Sequence, residues 1–266
     1  MTSQFNYLVG NAQDIGRRQE QQDYLAFSDP GNTAFVSHGG LLGFVADGMG
    51  GMACGREASE MAGKTFLRSY EAKAPGQSIP DSLHAALEQA NRAVTSIISD
   101  RGLNRGEVGT TFAGAVIHDG FLYWIAVGDS RIYLYRGGKL YILNEAHTIG
   151  LDLNRRAAKG EISRREAITH LERHVLTSYL GVDPLPLVDA SIHPYRLRPE
   201  DRIIISSDGL FDVVSNKEIA AIIDHVNHTC GDLQAMSEQL VSTALGKKCS
   251  HQDNITVLAM AAGRNQ

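Results

Sequence analysis

An α+β fold is what the sequence predicts, on three observations. Short apolar runs of strand character come in pairs joined by two-residue turns. Amphipathic helical stretches are grouped between those runs instead of alternating strictly with them. No internal repeat, low-complexity tract or Pro/Ser-rich linker divides the chain, so residues 1–266 read as one domain.

Taken in order, the first strand is Leu41 to Ala46, an apolar run with Gly39-Gly40 before it and Asp47-Gly48 after it. After Pro80, the residues Leu83, Leu87, Ala90, Val94 and Ile97 step by four and three. That is one face of a helix, with Asp81 or Ser82 as its N-cap. Phe112 to His118 and Phe121 to Val127 flank Asp119-Gly120, a type I′ hairpin signal; Arg131 to Arg136 and Lys139 to Leu143 flank Gly137-Gly138. Hairpins this tight make the sheet mainly antiparallel. Leu151 to His174 is a polar stretch with a capping box at Ser163 to Glu166, read as a mobile subdomain over a site or as a solvated helical excursion. Arg202 to Ser206 is another strand. Ser215 to Glu218 is a second capping box, opening a helix through Ile219, Ile222, Ile223 and Val226. Leu233, Met236 and Leu240 mark a helix that stops near Gly246, and Ile255 to Met260 is the last strand.

Composition narrows the function. Lys and Arg number 25 against 30 Asp and Glu, a formal net charge of −5. Such a chain gains little from releasing counterions on nucleic acid, so nucleic acid is not an expected partner. Three cysteines, Cys54, Cys230 and Cys249, contain no C-x-x-C pair, which argues against a disulfide framework and a thiolate zinc site. No signal-peptide pattern opens the sequence, and its longest unbroken apolar run, Phe121 to Val127, is far shorter than the ~20 residues of a membrane helix. A cytoplasmic protein, without membrane contact and monomeric, is expected.

The chemistry shows in the aspartates. Three apolar runs end in an Asp followed by a small residue: Asp47-Gly48, Asp129-Ser130 and Asp208-Gly209. A fourth, Asp253, opens the last strand. Singly, each reads as a turn residue. In antiparallel neighbours, however, one strand's end lies beside the next one's start, so the four carboxylates can gather at one edge. Gathered carboxylates repel unless cations or protons lie between them. All-oxygen ligation suits hard ions, Mg²⁺ or Mn²⁺. The ten histidines show no ligand spacing and read as scattered surface and core residues. The glycines of Asp47-Gly48-Met49-Gly50-Gly51 fit close backbone approach to something bound, such as a carbonyl turned onto a metal.

These stretches, with Gly16 to Asp23 and Gly109-Thr110-Thr111, resemble in order and spacing the bacterial members of the type-2C metal-dependent Ser/Thr protein phosphatases. The resemblance runs through nearly the whole chain and implies a sandwich of two mainly antiparallel β-sheets flanked by helices, with a flap at about residues 147–181. It implies two tightly held Mn²⁺ or Mg²⁺ ions and a weaker third. Asp47 would bridge the two, with the Gly48 carbonyl on one and Asp208 and Asp253 on the other. Asp129 would help hold the third, Asp23 would orient metal-bound water from behind the ligands, and Arg18 would grip the substrate phosphate. The implied reaction is hydrolysis of phosphoserine or phosphothreonine on proteins, a Ser/Thr kinase or its targets among them, by a water shared between the cations. Two positions depart from many members: Gln22 stands where they have Glu, and Met49 where eukaryotic members have a His proposed as general acid. The alternatives are a phosphatase of small phosphoesters or nucleotides and an inactive phosphoprotein-binding module. The first has no base-stacking motif to support it, and the second is disfavoured by the presence of Asp47, Asp208 and Asp253.

Overall fold

The computed structural model describes residues 5–50, 54–104 and 106–264. Among the described residues, twelve strands and eight helices follow one another as β1 (Phe5–Asp14), β2 (Asp23–Phe27), α1 (Thr33–Gly39), β3 (Leu41–Gly50), α2 (Cys54–Glu71), α3 (Ile79–Arg101), β4 (Val108–Thr110), β5 (Phe112–His118), β6 (Phe121–Val127), β7 (Arg131–Arg136), β8 (Lys139–Ile142), α4 (Ile149–Ala158), α5 (Arg164–Thr169), β9 (Asp189–Ala190), β10 (Tyr195–Arg196), β11 (Arg202–Ser206), α6 (Asp208–Phe211), α7 (Asn216–Thr229), α8 (Leu233–Gly246) and β12 (Ile255–Arg264). One sheet runs β1-β12-β11-β7-β8. The other runs β10-β6-β5-β3-β2, with β4 added on β3 and β9 on β6. Every pairing among these strands is antiparallel.

The layers follow from side-chain alternation, which sends successive residues of a strand to opposite faces. In β3, Leu41 and Val45 join Ile203, Ile205, Leu258 and Met260 in the core between the sheets. Leu42, Phe44 and Ala46 join Phe66, Leu83 and Leu87 under α2 and α3. Both faces of β3 are therefore buried, which is why its sequence reads as an unbroken apolar run. In β11, Ile204 faces the other way from Ile203 and Ile205 and packs with Ile219, Ile223, Met236 and Leu240 of α7 and α8. The result is a sandwich of two sheets with a helix layer on each outer face. This is the predicted fold class.

Local signals place the elements. Asp119 and Gly120 have φ of 49° and 76°, and Gly137 and Gly138 have 56° and 76°. Positive φ at both central residues is what a type I′ turn requires, so both hairpins form as predicted. The capping boxes at Ser163 and Ser215 both form. The cap of α3 is a correction. It is Ser78, whose hydroxyl accepts from the Asp81 amide, and not Asp81 or Ser82. Pro80 lies inside the first turn, where its missing N–H costs nothing. A second correction concerns β3, which does not end at Ala46. It continues through Asp47, Gly48 and Met49 to Gly50, paired with β2 at Asp47 and with β4 beyond it. Asp47-Gly48 is thus strand and not turn.

The aromatic layer under α2 gives a test. Phe112 is fully buried, with its ring centroid 4.3 Å from that of Phe66 and 5.0 Å from that of Phe44. Phe112→Ala is expected to cost about 3–5 kcal/mol by urea unfolding, because the rings around it cannot collapse into the space. A loss below about 1 kcal/mol would show that the layer repacks freely.

Candidate active site

Where the inter-sheet core ends, its apolar layer gives way to carboxylates. Asp47 follows Val45 on the inner face of β3, and Asp129 lies just beyond the end of β6 in the same sheet. Asp208 follows β11 by two residues and opens α6, and Asp253 precedes β12 by two, both in the other sheet. β11 and β12 are antiparallel neighbours, with Ser206 opposite Val257. This brings Asp208 and Asp253 to the same end. Asp47, Asp129, Asp208 and Asp253 all line one cleft of ≈ 290 Å³, together with Arg18, Gln22, Gly48, Met49, Thr111, His174 and Asn254.

Asp23 is the exception among the predicted site residues. It is the cross-strand partner of Asp47 but is buried behind the cleft. Its Oδ2 accepts from the hydroxyls of Ser207 (2.7 Å) and Thr256 (2.6 Å). Ser207 precedes Asp208, and Thr256 lies three residues after Asp253 in β12, so Asp23 ties β2 to both elements of the other sheet. Asp47 is fixed through its backbone: its N–H donates to Thr111 Oγ1 (3.0 Å), and its carbonyl accepts from Thr111 N (2.8 Å) and Thr110 Oγ1 (2.9 Å). Thr111 Oγ1 in turn lies 2.7 Å from Ser130 Oγ, beside Asp129.

The glycine of the first motif has a packing reason of its own. A Cβ on Gly48 would meet the Gly55 carbonyl oxygen at 2.1 Å and that of Gln22 at 2.7 Å. Close packing of the start of α2 and of the Gln22 strand against β3 requires glycine there. Gly51, included in the same motif, lies outside the described residues.

Arg18 sits at the rim on the connection between β1 and β2. That connection is bolted to the segment before β12. Asn254 accepts from Gln22 N (2.8 Å) and donates to the carbonyls of Ile15 (2.9 Å) and Glu20 (3.1 Å), while Arg17 N donates to Gln252 O (2.9 Å). The guanidinium of Arg18 pairs with Asp253 Oδ2.

Burial and mutual charge set the electrostatics of the cleft. Burial, then the charges of Asp23 and Asp208, hold the Asp47 carboxyl well above its ordinary range. Burial, then Asp129 and Asp253, do the same to Asp208. Burial pushes Asp129 up to about 6, and burial against the opposing hydrogen bonds of Thr256 and Ser207 puts Asp23 also at about 6. Asp208 Oδ1 is buried with no hydrogen-bond partner. Among the described residues, no three acidic, histidine or cysteine side chains already stand as a set that would hold an ion. Asp253 is turned to Arg18 and Asp23 to two hydroxyls. The donors nevertheless fit a hard divalent cation: they are all oxygen, they are crowded, and one buried oxygen is unsatisfied.

Two residues escaped the sequence reading. His174 lines the cleft, so the histidines are not all scattered surface and core residues. Nothing in its neighbourhood marks it, because it reaches the site through the path of the 147–181 segment. That segment folds as α4 and α5 and returns to the core through Thr148 opposite Leu176 and Thr110 opposite Leu180. Asp212, one turn after Asp208, raises the carboxyls of both Asp129 and Asp208 and lines an adjoining cleft of ≈ 340 Å³ with Arg131, whose guanidinium lies 3.7 Å over the Phe211 ring.

Known proteins resemble this chain in sequence and in fold. Residues 12–245 match the protein phosphatase 2C family. The serine/threonine phosphatase stp of Listeria monocytogenes serotype 4b is 30% identical over 218 residues, 80% of this chain and 81% of that protein. The serine/threonine protein phosphatase PstP of Mycobacterium tuberculosis is 29% identical over 240 residues, 88% of this chain and 44% of that protein. Among solved structures, the PPM Ser-Thr phosphatase MsPP from Mycobacterium smegmatis, in complex with cacodylate, is 32% identical with a TM-score of 0.72, covering 95% of this chain and 97% of that one. The catalytic domain of PstP in complex with two manganese ions is 25% identical with a TM-score of 0.74, covering 97% of this chain and 99% of that one. The fold and relatives define the class, an enzyme of the protein-serine/threonine phosphatase type. The chain belongs to the protein phosphatase 2C family. Among the described residues no helix is long and apolar enough to cross a membrane.

The raised carboxyls set a pH dependence. Between the ordinary 3.8 and about 6, folded Asp23 and Asp129 hold protons that the unfolded chain has released. Chelated protein therefore loses stability from these groups as pH rises through that window. Cations bind the ionised forms and gain affinity over the same window. The rise in thermal midpoint on adding Mn²⁺ is expected to be small at about pH 5 and to grow up to about pH 7. Scanning calorimetry across that range checks it. A gain that is constant or larger in acid would contradict the assignment.

Proposed function

We propose that this cleft is the catalytic centre of a phosphatase acting on phosphoserine and phosphothreonine in proteins, and that it works with Mn²⁺ or Mg²⁺. The observation that carries the reading is the convergence of Asp47, Asp129, Asp208 and Asp253, from both sheets, around one cleft with Arg18 at its rim. Asp47, the Gly48 carbonyl, Asp208 and Asp253 would hold two ions, and Asp129 with Asp208 a weaker third. Divalent cations in such a site lower the pKa of water and offset negative charge developing at phosphorus.

The chain's own residues supply the rest. Arg18 offers a planar guanidinium fork that can bind two phosphate oxygens at once, a geometry lysine cannot reproduce. Asp23 acts from behind, keeping Ser207 and Thr256, and hence Asp208 and Asp253, in register with Asp47. Gln22 lines the cleft with an amide, one negative charge fewer than a glutamate would bring. Met49 lines it too and has no proton to give. Among the described residues lining the cleft there is no Phe, Tyr or Trp side chain, so a nucleobase would have only the His174 imidazole to stack on, which favours protein over nucleotide substrates. The segment at about 147–181, which brings His174 to the cleft, is read as a flap over it, and the chain as a monomer whose substrates include a Ser/Thr kinase or that kinase's targets.

Phosphate release from a phosphothreonine peptide is expected with Mn²⁺, to cease in EDTA, and to exceed release from a nucleotide. Turnover that persists in EDTA after dialysis would overturn the metal reading. Asp208→Asn should lower the rate at least tenfold, about 1.4 kcal/mol of barrier, with unchanged far-UV circular dichroism. A smaller loss would remove Asp208 from the ligand set. Asp129→Ala should leave two tight Mn²⁺ sites in calorimetry and remove the high-concentration phase of the rate-versus-Mn²⁺ curve. An unchanged curve would make Asp129 a turn residue only.

A further inference from the structure

We propose that Arg18 is the resident counter-ion of Asp253, so that a cation entering at Asp253 displaces the guanidinium and frees it for the substrate phosphate. The proposal rests on the metal reading above and adds a coupling to it: the cation and phosphate sites share one side chain, whose two partners exclude each other.

The geometry leaves Arg18 little alternative. A Cβ on Gly16 (φ +64°) would meet the Asp253 carbonyl oxygen at 2.2 Å, so the connection carrying Arg18 lies directly against the backbone of Asp253. Arg17 N is bonded to Gln252 O, and the Asn254 side chain holds Ile15, Glu20 and Gln22. With that backbone fixed on both sides, the guanidinium can move only by its own side-chain torsions. It lies on Asp253 and also feels the charges of Asp208 and Asp47. Asp253 meanwhile spends Oδ1 on its neighbour's amide, Asn254 N, at 2.8 Å, and Oδ2 on Arg18. An ion binding Oδ2 would therefore compete with Arg18 for it.

Displacement has a reciprocal consequence. If the cation must remove Arg18 from Asp253, Arg18 lowers cation affinity, and bound cation raises the affinity of Arg18 for phosphate by the same factor. The pair is exposed, at 57% for Arg18 and 36% for Asp253, so its strength is that of a surface ion pair. Such a pair corresponds to an effect of about two- to fivefold at low salt, shrinking as salt screens it.

Calorimetric titration with Mn²⁺ alone, without substrate, tests this on wild type, Arg18→Ala and Arg17→Ala. Arg17 carries the same charge one residue away, is exposed, and takes no part in the pair. Arg18→Ala should bind Mn²⁺ about two- to fivefold more tightly than wild type, and Arg17→Ala should change much less. Thermal midpoints give a second readout: Arg18→Ala should destabilise the chelated protein more than the Mn²⁺-loaded protein. Wild type that binds no Mn²⁺ would overturn the metal reading itself. Wild type that binds it, with Arg18→Ala unchanged or weakened, or with Arg17→Ala matching Arg18→Ala, would overturn the displacement and leave the metal reading standing.

Discussion

The structure turns on the mutual repulsion of carboxylates driven together at the end of a sandwich. Asp47 and Asp23 sit opposite each other on adjacent strands, Asp208 and Asp253 approach from the other sheet, and Asp129 closes the ring. Left to themselves, like charges this close and this buried would push the sheets apart or take up protons. The fold tolerates them because the apolar layers behind are extensive, with Val45, Ile205 and Leu258 buried between the sheets immediately below the charges. Stability made in the core offsets what the site costs, as is common where a protein concentrates function.

The same constraint explains the backbone fixation around the site. Carboxylates that repel would swing away if their strands were loose. Asp47 is held by Thr110 and Thr111, the Ser207 and Thr256 hydroxyls converge on Asp23, and the Arg18 connection is clamped by Asn254. Neutral hydroxyl and amide groups carry out this fixing. They add no charge to the site, and their hydrogen bonds are strongest where water is excluded.

Much of this was legible in the sequence. The hairpins at Asp119-Gly120 and Gly137-Gly138, the capping boxes at Ser163 and Ser215 and the helical periodicity after Pro80 each have a local cause, and local causes can be read locally. Asp129, Asp208 and Asp253 could be placed together because strand ends mark where a sheet edge lies, whereas Asp47 joins them from within β3. What could not be read depends on distant partners. β1 carries few strand signals and is defined by pairing along its whole length with β12. β3 runs past Asp47-Gly48 because β4 is there to receive it. The glycine at 48 answers to Gly55 and Gln22, and His174 reaches the cleft only through the route of its segment. Arg18 was singled out by resemblance as the residue that would grip phosphate, but its attachment to Asp253 spans 235 positions and leaves no trace in either neighbourhood.

That span has a consequence for the life of the molecule. The site is assembled from both ends of the fold, since the connection after β1 is anchored on residues just before β12. A chain growing from the ribosome can form the hairpins and the α2–α3 layer early, yet Arg18 has no ion-pair partner and its connection no anchor until Asp253 and Asn254 emerge. A partly synthesised molecule therefore lacks the Asp253 side of the cleft however much of its secondary structure is in place.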